Sequence, residues 1–305
     1  MTRPSRRHAL TPYLFLLPGF AFLAMWMLYP MGKALWISFF DWSPIPGADN
    51  PFVGLTHYAA VLQDDLFWLS LKNTASYALV TVLGQLVLGL LVALLLDRIT
   101  TGKVFFRTAY YLPVVTSWVV ASLLFRYLFN GSEAGLVNYL LVDLLHLLPE
   151  HVAWLNEPGT AFVVIDTLGI WKGIGWTMVI FLAALQAIPV EYYDAAAMDG
   201  ASRAQATRCI TLPLLLPTIA LVVIMLTIGA FAYSSYIPVD LITGGGPMHR
   251  TDVLLSYLYY HAFDRVDFGY AGAVSYLLIL LVFAVSQVQL RLLRIDTATS
   301  QKAAA

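Results

Sequence analysis

Side chains able to do chemistry are sparse in this sequence, and their spacing excludes most reactions. The phosphate-cradling pattern G-x-x-x-x-G-K-[ST] is absent, since Gly102-Lys103 has neither the upstream glycine nor the following hydroxyl. His146 and His151 flank Glu150 but stand five apart, whereas a helical zinc pair is spaced by four. The single cysteine, Cys209, can form no internal disulfide and is too little for a metal site. No convergent set of acid, base or metal ligands falls within the apolar segments, so catalytic and metal residues are both read as none.

What remains is binding chemistry. Asp166 and Lys172 interrupt an apolar run, and Trp171-Lys172-Gly173-Ile174-Gly175-Trp176 breaks its aliphatic character. Phe231-Ala232-Tyr233-Ser234-Ser235-Tyr236 gathers aromatics and hydroxyls in a second apolar run. Ionisable groups inside a bilayer are costly and usually face a cavity or a partner. Aromatic faces beside hydroxyls suit a sugar. The candidate binding set is therefore Lys172, Gly173, Trp176, Phe231, Tyr233, Ser234 and Ser235. Two plainer roles compete: aromatic residues anchor spans at the membrane interface, and glycines serve helix packing. Asp166 is a candidate partner for Lys172, although six residues is poor spacing on one helix.

The elements that must position these residues follow from composition. Of 305 residues, 60% are hydrophobic and 11% charged, against roughly a quarter charged in soluble domains. Crossing a bilayer as a helix takes about 20 apolar residues. Six segments qualify, near 12–40, 71–96, 108–130, 160–187, 211–237 and 269–293. They are long and continuously apolar, unlike the short alternating strands of a barrel. The expected fold is all-α, an integral membrane protein of six transmembrane helices. Arg3, Arg6 and Arg7 precede an apolar run with no convincing cleavage site, so a retained first helix is expected rather than a signal peptide.

Arginine and lysine set the orientation. Arg3, Arg6, Arg7, Arg98, Lys103, Arg107, Arg203, Arg208, Arg291, Arg294 and Lys302 all fall on one side of a six-span arrangement. The opposite loops are acidic, with Asp41, Asp49, Asp64, Asp65, Glu133, Asp143, Glu150 and Glu157 among others. Both termini are therefore expected in the cytoplasm. Expected boundaries are a cytoplasmic N-terminus over 1–11, a transmembrane domain over 12–293 and a cytoplasmic tail over 294–305. A net charge of −1 with no basic stripe speaks against nucleic acid.

The connection between the fourth and fifth segments is the most specific stretch. Residues 189–200 read as a short helix opened by Pro189. Glu191 and Asp194 complement the positive end of its dipole. Ala195, Ala196 and Ala197 form helix without bulk, and Gly200 can take the left-handed conformation that stops it. Asp194-Ala195-Ala196, Gly200, Ile210 and Leu212-Pro213 match in every spacing the signature of ABC-importer membrane subunits, Glu-Ala-Ala, three residues, Gly, nine residues, Ile-x-Leu-Pro. The one departure is Asp194 in place of glutamate, which keeps the charge on a shorter arm. Pro12 to Gly19, Ser38-Phe39 with Phe52 to Leu55, and Gly244-Gly245-Gly246-Pro247 with Thr251 are also similar to this family. The pattern as a whole resembles the first of the two paired permeases in carbohydrate uptake, the branch with maltose and glycerol-3-phosphate permeases.

That resemblance implies a plasma (inner) membrane location and a coupling role for the cytoplasmic helix 189–200, through Glu191, Asp194, Ala195, Ala196, Asp199 and Gly200. It implies a heterodimer with a second permease subunit, two ATPase subunits that carry ATP and Mg, and an extracytoplasmic solute-binding protein. This chain itself would bind no cofactor and be no enzyme. In the maltose-type relative, cargo contacts come from the spans flanking the signature helix. The matched positions here are Gly169, Lys172, Gly173, Trp176, Ile228, Phe231, Ala232 and Ser235. The implied cargo is a small carbohydrate, with glycerol-3-phosphate or a related polyol as the alternative. An ion-driven secondary transporter is the alternative from another class, and Asp166 as the only plausible intramembrane acid is thin support for it.

Overall fold

A long apolar chain in a bilayer must satisfy its backbone within each segment, and helices do this without a neighbour. The computed structural model describes residues 6–132 and 135–292, and among these every regular element is helical. The expected tail over 294–305, the first five residues and Glu133 lie outside the described residues. In chain order the elements that matter are α1 (Phe15–Ile37) and α2 (Asp65–Arg98), then α3 (Lys103–Val115), α4 (Trp118–Leu128) and α5 (Pro158–Gln186). They continue with α6 (Glu191–Met198), α7 (Arg203–Ser234), α8 (Tyr236–Ile242) and α9 (Phe268–Leu292). Five of these are long and apolar enough to cross a membrane, and the bent pair α3–α4 makes a sixth if counted as one span.

Two expectations need correction. Residues 108–130 do not form one helix: the chain turns by 94° between α3 and α4. Pro113 supplies no N–H to the helix, and Thr116 and Ser117 adopt extended ψ values of 139° and 138°. The fifth segment also stops earlier than 237. A π-helical turn, Ala230–Ser234, ends α7, and Ser235 Oγ folds back to donate to Ala230 O at 3.0 Å.

The chain divides into two units, residues 1–64 with 258–279, and residues 65–257 with 280–305. In the first, Tyr276 Oη donates to Met31 O at 2.6 Å and Tyr270 Oη donates to Asp64 Oδ2 at 3.2 Å. The apolar side chains of α1, Phe15, Phe20, Phe22 and Trp26 among them, are exposed, a surface suited to lipid or a neighbouring subunit rather than to water.

In the second unit α2 lies along α5, and α5 also packs on α3 and α7. At one end Leu96, Phe181, Leu182, Leu215 and Val222 form a shared apolar core. Close approach is made possible by Gly175, whose missing side chain leaves room for the backbone of Tyr110 in α3. The glycine-rich loop after α8 is built onto α2. Asn73 Nδ2 donates to Arg250 O and Asp252 O at 2.9 and 2.8 Å, and Leu254 N donates to Thr74 Oγ1 at 2.8 Å.

A Cβ at position 175 would overlap the Tyr110 carbonyl, whereas one at Gly159 meets nothing within 4 Å. Gly175→Ala should therefore lower stability by about 1–3 kcal/mol, the usual cost of overpacking. Gly159→Ala should change it little. Thermal unfolding of the two variants side by side in detergent checks the contrast.

Candidate functional site

Three helices of the second unit enclose a cavity of about 240 Å³, lined by side chains of α2, α5 and α7 with Trp118 from the start of α4. Each helix brings polar groups on one stripe. On α2 these are Thr81 and Gln85, with the fully buried Tyr77 one turn before Thr81 on the same face. α5 lines the cavity with Gly169, Lys172, Gly173 and Trp176, and α7 with Tyr233 and Ser234. Gly173 gives the Gln85 side chain its space, and Gln85 Nε2 donates to Gly169 O at 3.3 Å. Tyr77 Oη donates to Ser234 O at 3.1 Å and ties α2 to the π-helical end of α7. The result is a wall of aromatic faces with an amide and hydroxyls between them.

Of the residues singled out in the sequence, Lys172, Gly173, Trp176, Tyr233 and Ser234 all line this cavity, as does the matched Gly169. Phe231 and Ser235 do not: both are buried, and the Ser235 hydroxyl is engaged by its own helix. Ile228 and Ala232 are also outside the lining. Thr81, Gln85 and Trp118 were not singled out. The first two carried a readable signal, polar side chains at four-residue spacing in an apolar span.

Lys172 and Asp166 are not paired. The Lys172 ammonium donates to Pro113 O at 2.9 Å and to Thr116 O, and lies 4.7 Å from the centroid of the Trp118 ring. Asp166 Oδ1 is buried without a hydrogen-bond partner.

The short helix α6 stands apart from the cavity. No residue on it is buried; Glu191, Asp194, Ala195, Asp199 and Gly200 are exposed, Ala196 is half-buried, and Met198 is 89% exposed. Its end is fully closed. Ala201 N donates to Ala196 O and Gly200 N to Ala197 O, with Gly200 at φ +76°, which together make a Schellman cap. One residue on, Ser202 and Gln205 form a capping box that opens α7. Tyr193 Oη lies 2.9 Å from Thr211 Oγ1, a further tie between α6 and α7. Such a helix leaves an acidic and methyl-rich face exposed, with the carbonyls at its C-terminal end capped by the chain that follows.

Among the described residues no cluster of three or more metal-ligating side chains exists. His146 Nδ1 instead contacts Val142 O at 2.9 Å, and His151 Nε2 contacts Asp143 Oδ1 at 3.2 Å.

Comparison with known proteins gives this geometry a context. The profile of a family described as the binding-protein-dependent transport system inner membrane component matches residues 85–293. The chain is 37% identical over 272 residues to the inner membrane ABC transporter permease protein YcjO of Escherichia coli, covering 89% of this chain and 90% of that protein. It is 32% identical to the sn-glycerol-3-phosphate transport system permease protein UgpA of Yersinia enterocolitica, covering 95% and 96%. It is 30% identical to the multiple sugar-binding transport system permease protein MsmF of Streptococcus mutans, covering 91% and 93%. The fold is similar, at a TM-score of 0.81 and 23% identity over 95% of this chain and 97% of the other, to a chain in the crystal structure of a bacterial ABC transporter involved in the import of the acidic polysaccharide alginate. The profile spans both the cavity wall of α5 and α7 and the exposed helix between them, and on that ground the chain belongs to the family of inner-membrane permease components of binding-protein-dependent ABC transport systems.

Proposed function

We propose that this chain forms half of the translocation pathway of an ATP-driven importer for a small, uncharged carbohydrate. The observation that carries the reading is the makeup of the cavity. Trp118, Trp176 and Tyr233 offer ring faces, and Thr81, Gln85 and Ser234 offer hydrogen-bonding groups between them. The apolar faces of a sugar ring pack on the first set and its hydroxyls bond to the second. Pockets that bury a small molecule usually measure about 300–1,000 Å³. A cavity of about 240 Å³ fits a site completed by a second permease subunit.

A phosphorylated cargo such as glycerol-3-phosphate needs a cation with free donors. Among the described residues Lys172 is the only lysine or arginine in the cavity lining, and two of its donors already hold carbonyls. This favours a neutral cargo over an anionic one, although relatives named for glycerol-3-phosphate transport exist. The lone Asp166 gives little to a secondary transporter driven by ions.

In this reading α6, with its flanking Pro189 and Gly200, is the coupling helix. It docks on one of two ATPase subunits, which carry ATP and Mg, while a solute-binding protein delivers cargo outside the cell. Both termini and the segment around residues 189–200 then face the cytoplasm. The bent pair α3–α4 counts as the third of six spans, inside a transmembrane domain running over 12–293.

Uptake of radiolabelled sugars into vesicles, with and without internal ATP, tests the reading; uptake that needs no ATP would overturn it. Trp176→Ala and Gln85→Leu should each cut uptake at least roughly tenfold, a loss of about 1.4 kcal/mol in the rate-limiting step. Ser235→Ala, outside the wall, should leave it within about twofold, ~0.4 kcal/mol on the same scale.

The coupling helix carries its own test. Gly200 needs a left-handed backbone that costs other residues about 1–2 kcal/mol. Gly200→Val should leave the protein inserted but sever cargo transport from ATP hydrolysis. Parallel assays of phosphate release and uptake read that separation.

A further inference from the structure

A span that breaks inside a membrane creates a local problem. The last carbonyls of α3 have no following turn to supply N–H donors, and hydrocarbon supplies none either. Leu112 O is met by Thr116 Oγ1 at 3.0 Å, and Pro113 O is met by Thr116 N at 3.3 Å. Thr116 O lies in the break itself.

Lys172 answers this from the neighbouring helix. Its side chain is 4% exposed. An ammonium carries three N–H donors. Two of them go to Pro113 O and Thr116 O, and the Trp118 ring face lies 4.7 Å away. A cation at the carbonyl end of a helix also meets the negative end of its dipole, and a cation over an indole gains further. The three contacts come from the end of α3, the break and the first residue of α4. One side chain on α5 therefore touches every part of the bend.

We propose that Lys172 is a positioning residue whose ammonium pins the break between α3 and α4 onto α5 and so sets Trp118 in the cavity wall, without contacting cargo. The pin stands on geometry alone; only its bearing on cargo rests on the function proposed above. Gly175 reinforces it, since three residues further along α5 the same helix lies against Tyr110, three residues back from Pro113 on α3. The two contacts fix both the spacing and the register of α3 on α5. By contrast Asp166, the one acid on α5, has its Oδ1 buried without a hydrogen-bond partner.

The test reads the bend directly. In a Cys209→Ser background, cysteines replace Val104 on α3 and Tyr127 on α4, both exposed at 78% and 65%, and carry spin labels. Their separation is measured by double electron–electron resonance in the full-length chain in nanodiscs. Lys172→Met should broaden the distance distribution and shift its mean by on the order of 5 Å, about one helical turn. Lys172→Gln keeps two donors and should give an intermediate change. Lys172→Arg should restore a single narrow distance. Met and Gln variants that keep the original distribution would overturn the proposal. If the chain assembled with its partner permease, ATPase subunits and solute-binding protein moved no carbohydrate while the distances shifted as stated, the functional reading would fail and the pin would stand.

Discussion

Hydrogen bonds to the backbone are the constraint on which this structure depends. In a chain built to sit in lipid, each peptide group needs a partner from the protein. Continuous helices meet that need, and α2 and α5 do so for 34 and 29 residues. The informative places are those where the helix stops. At the α3–α4 bend the partners are a threonine hydroxyl and a buried ammonium. Where α6 ends, the cap is made by two backbone amides and a left-handed glycine. At the head of α7 a serine and a glutamine cap each other. At these interruptions the chain changes direction and polar groups become available.

The spans were legible in the sequence because hydrophobicity over about 20 residues is a strong signal. The closing glycine of α6 was legible too, since Gly200 sits where the alanine run ends and takes the φ of +76° that the reading required. The bend was not. Pro113 lies inside α3 rather than at the break, and proline within an apolar run does not announce a turn of 94°. Lys172 was readable as a cavity residue but not as a ligand of peptide carbonyls, because its partners lie 56 and 59 residues away.

The wall contributed by α7 was half legible, for a specific physical reason. The makeup of the run singled out Phe231, Tyr233, Ser234 and Ser235 together, and only their phase around the helix separates them. Gly229 and Ala230 line the cavity, and Tyr233 and Ser234 follow them by four residues on the same face. Phe231 and Ser235, four residues apart from each other, fall on a neighbouring buried stripe. The α2 stripe, by contrast, follows regular spacing from Tyr77 to Gln85 and could have been found.

The junction between α6 and α7 has a consequence of its own. Two capped helix ends meet with Ala201 between Gly200 and Ser202, and the contact from Tyr193 to Thr211 closes the third side. These three ties leave the elbow few free torsions. Under the coupling proposed above, a push on Met198 would pass through them to the head of α7, whose far end carries Tyr233 and Ser234.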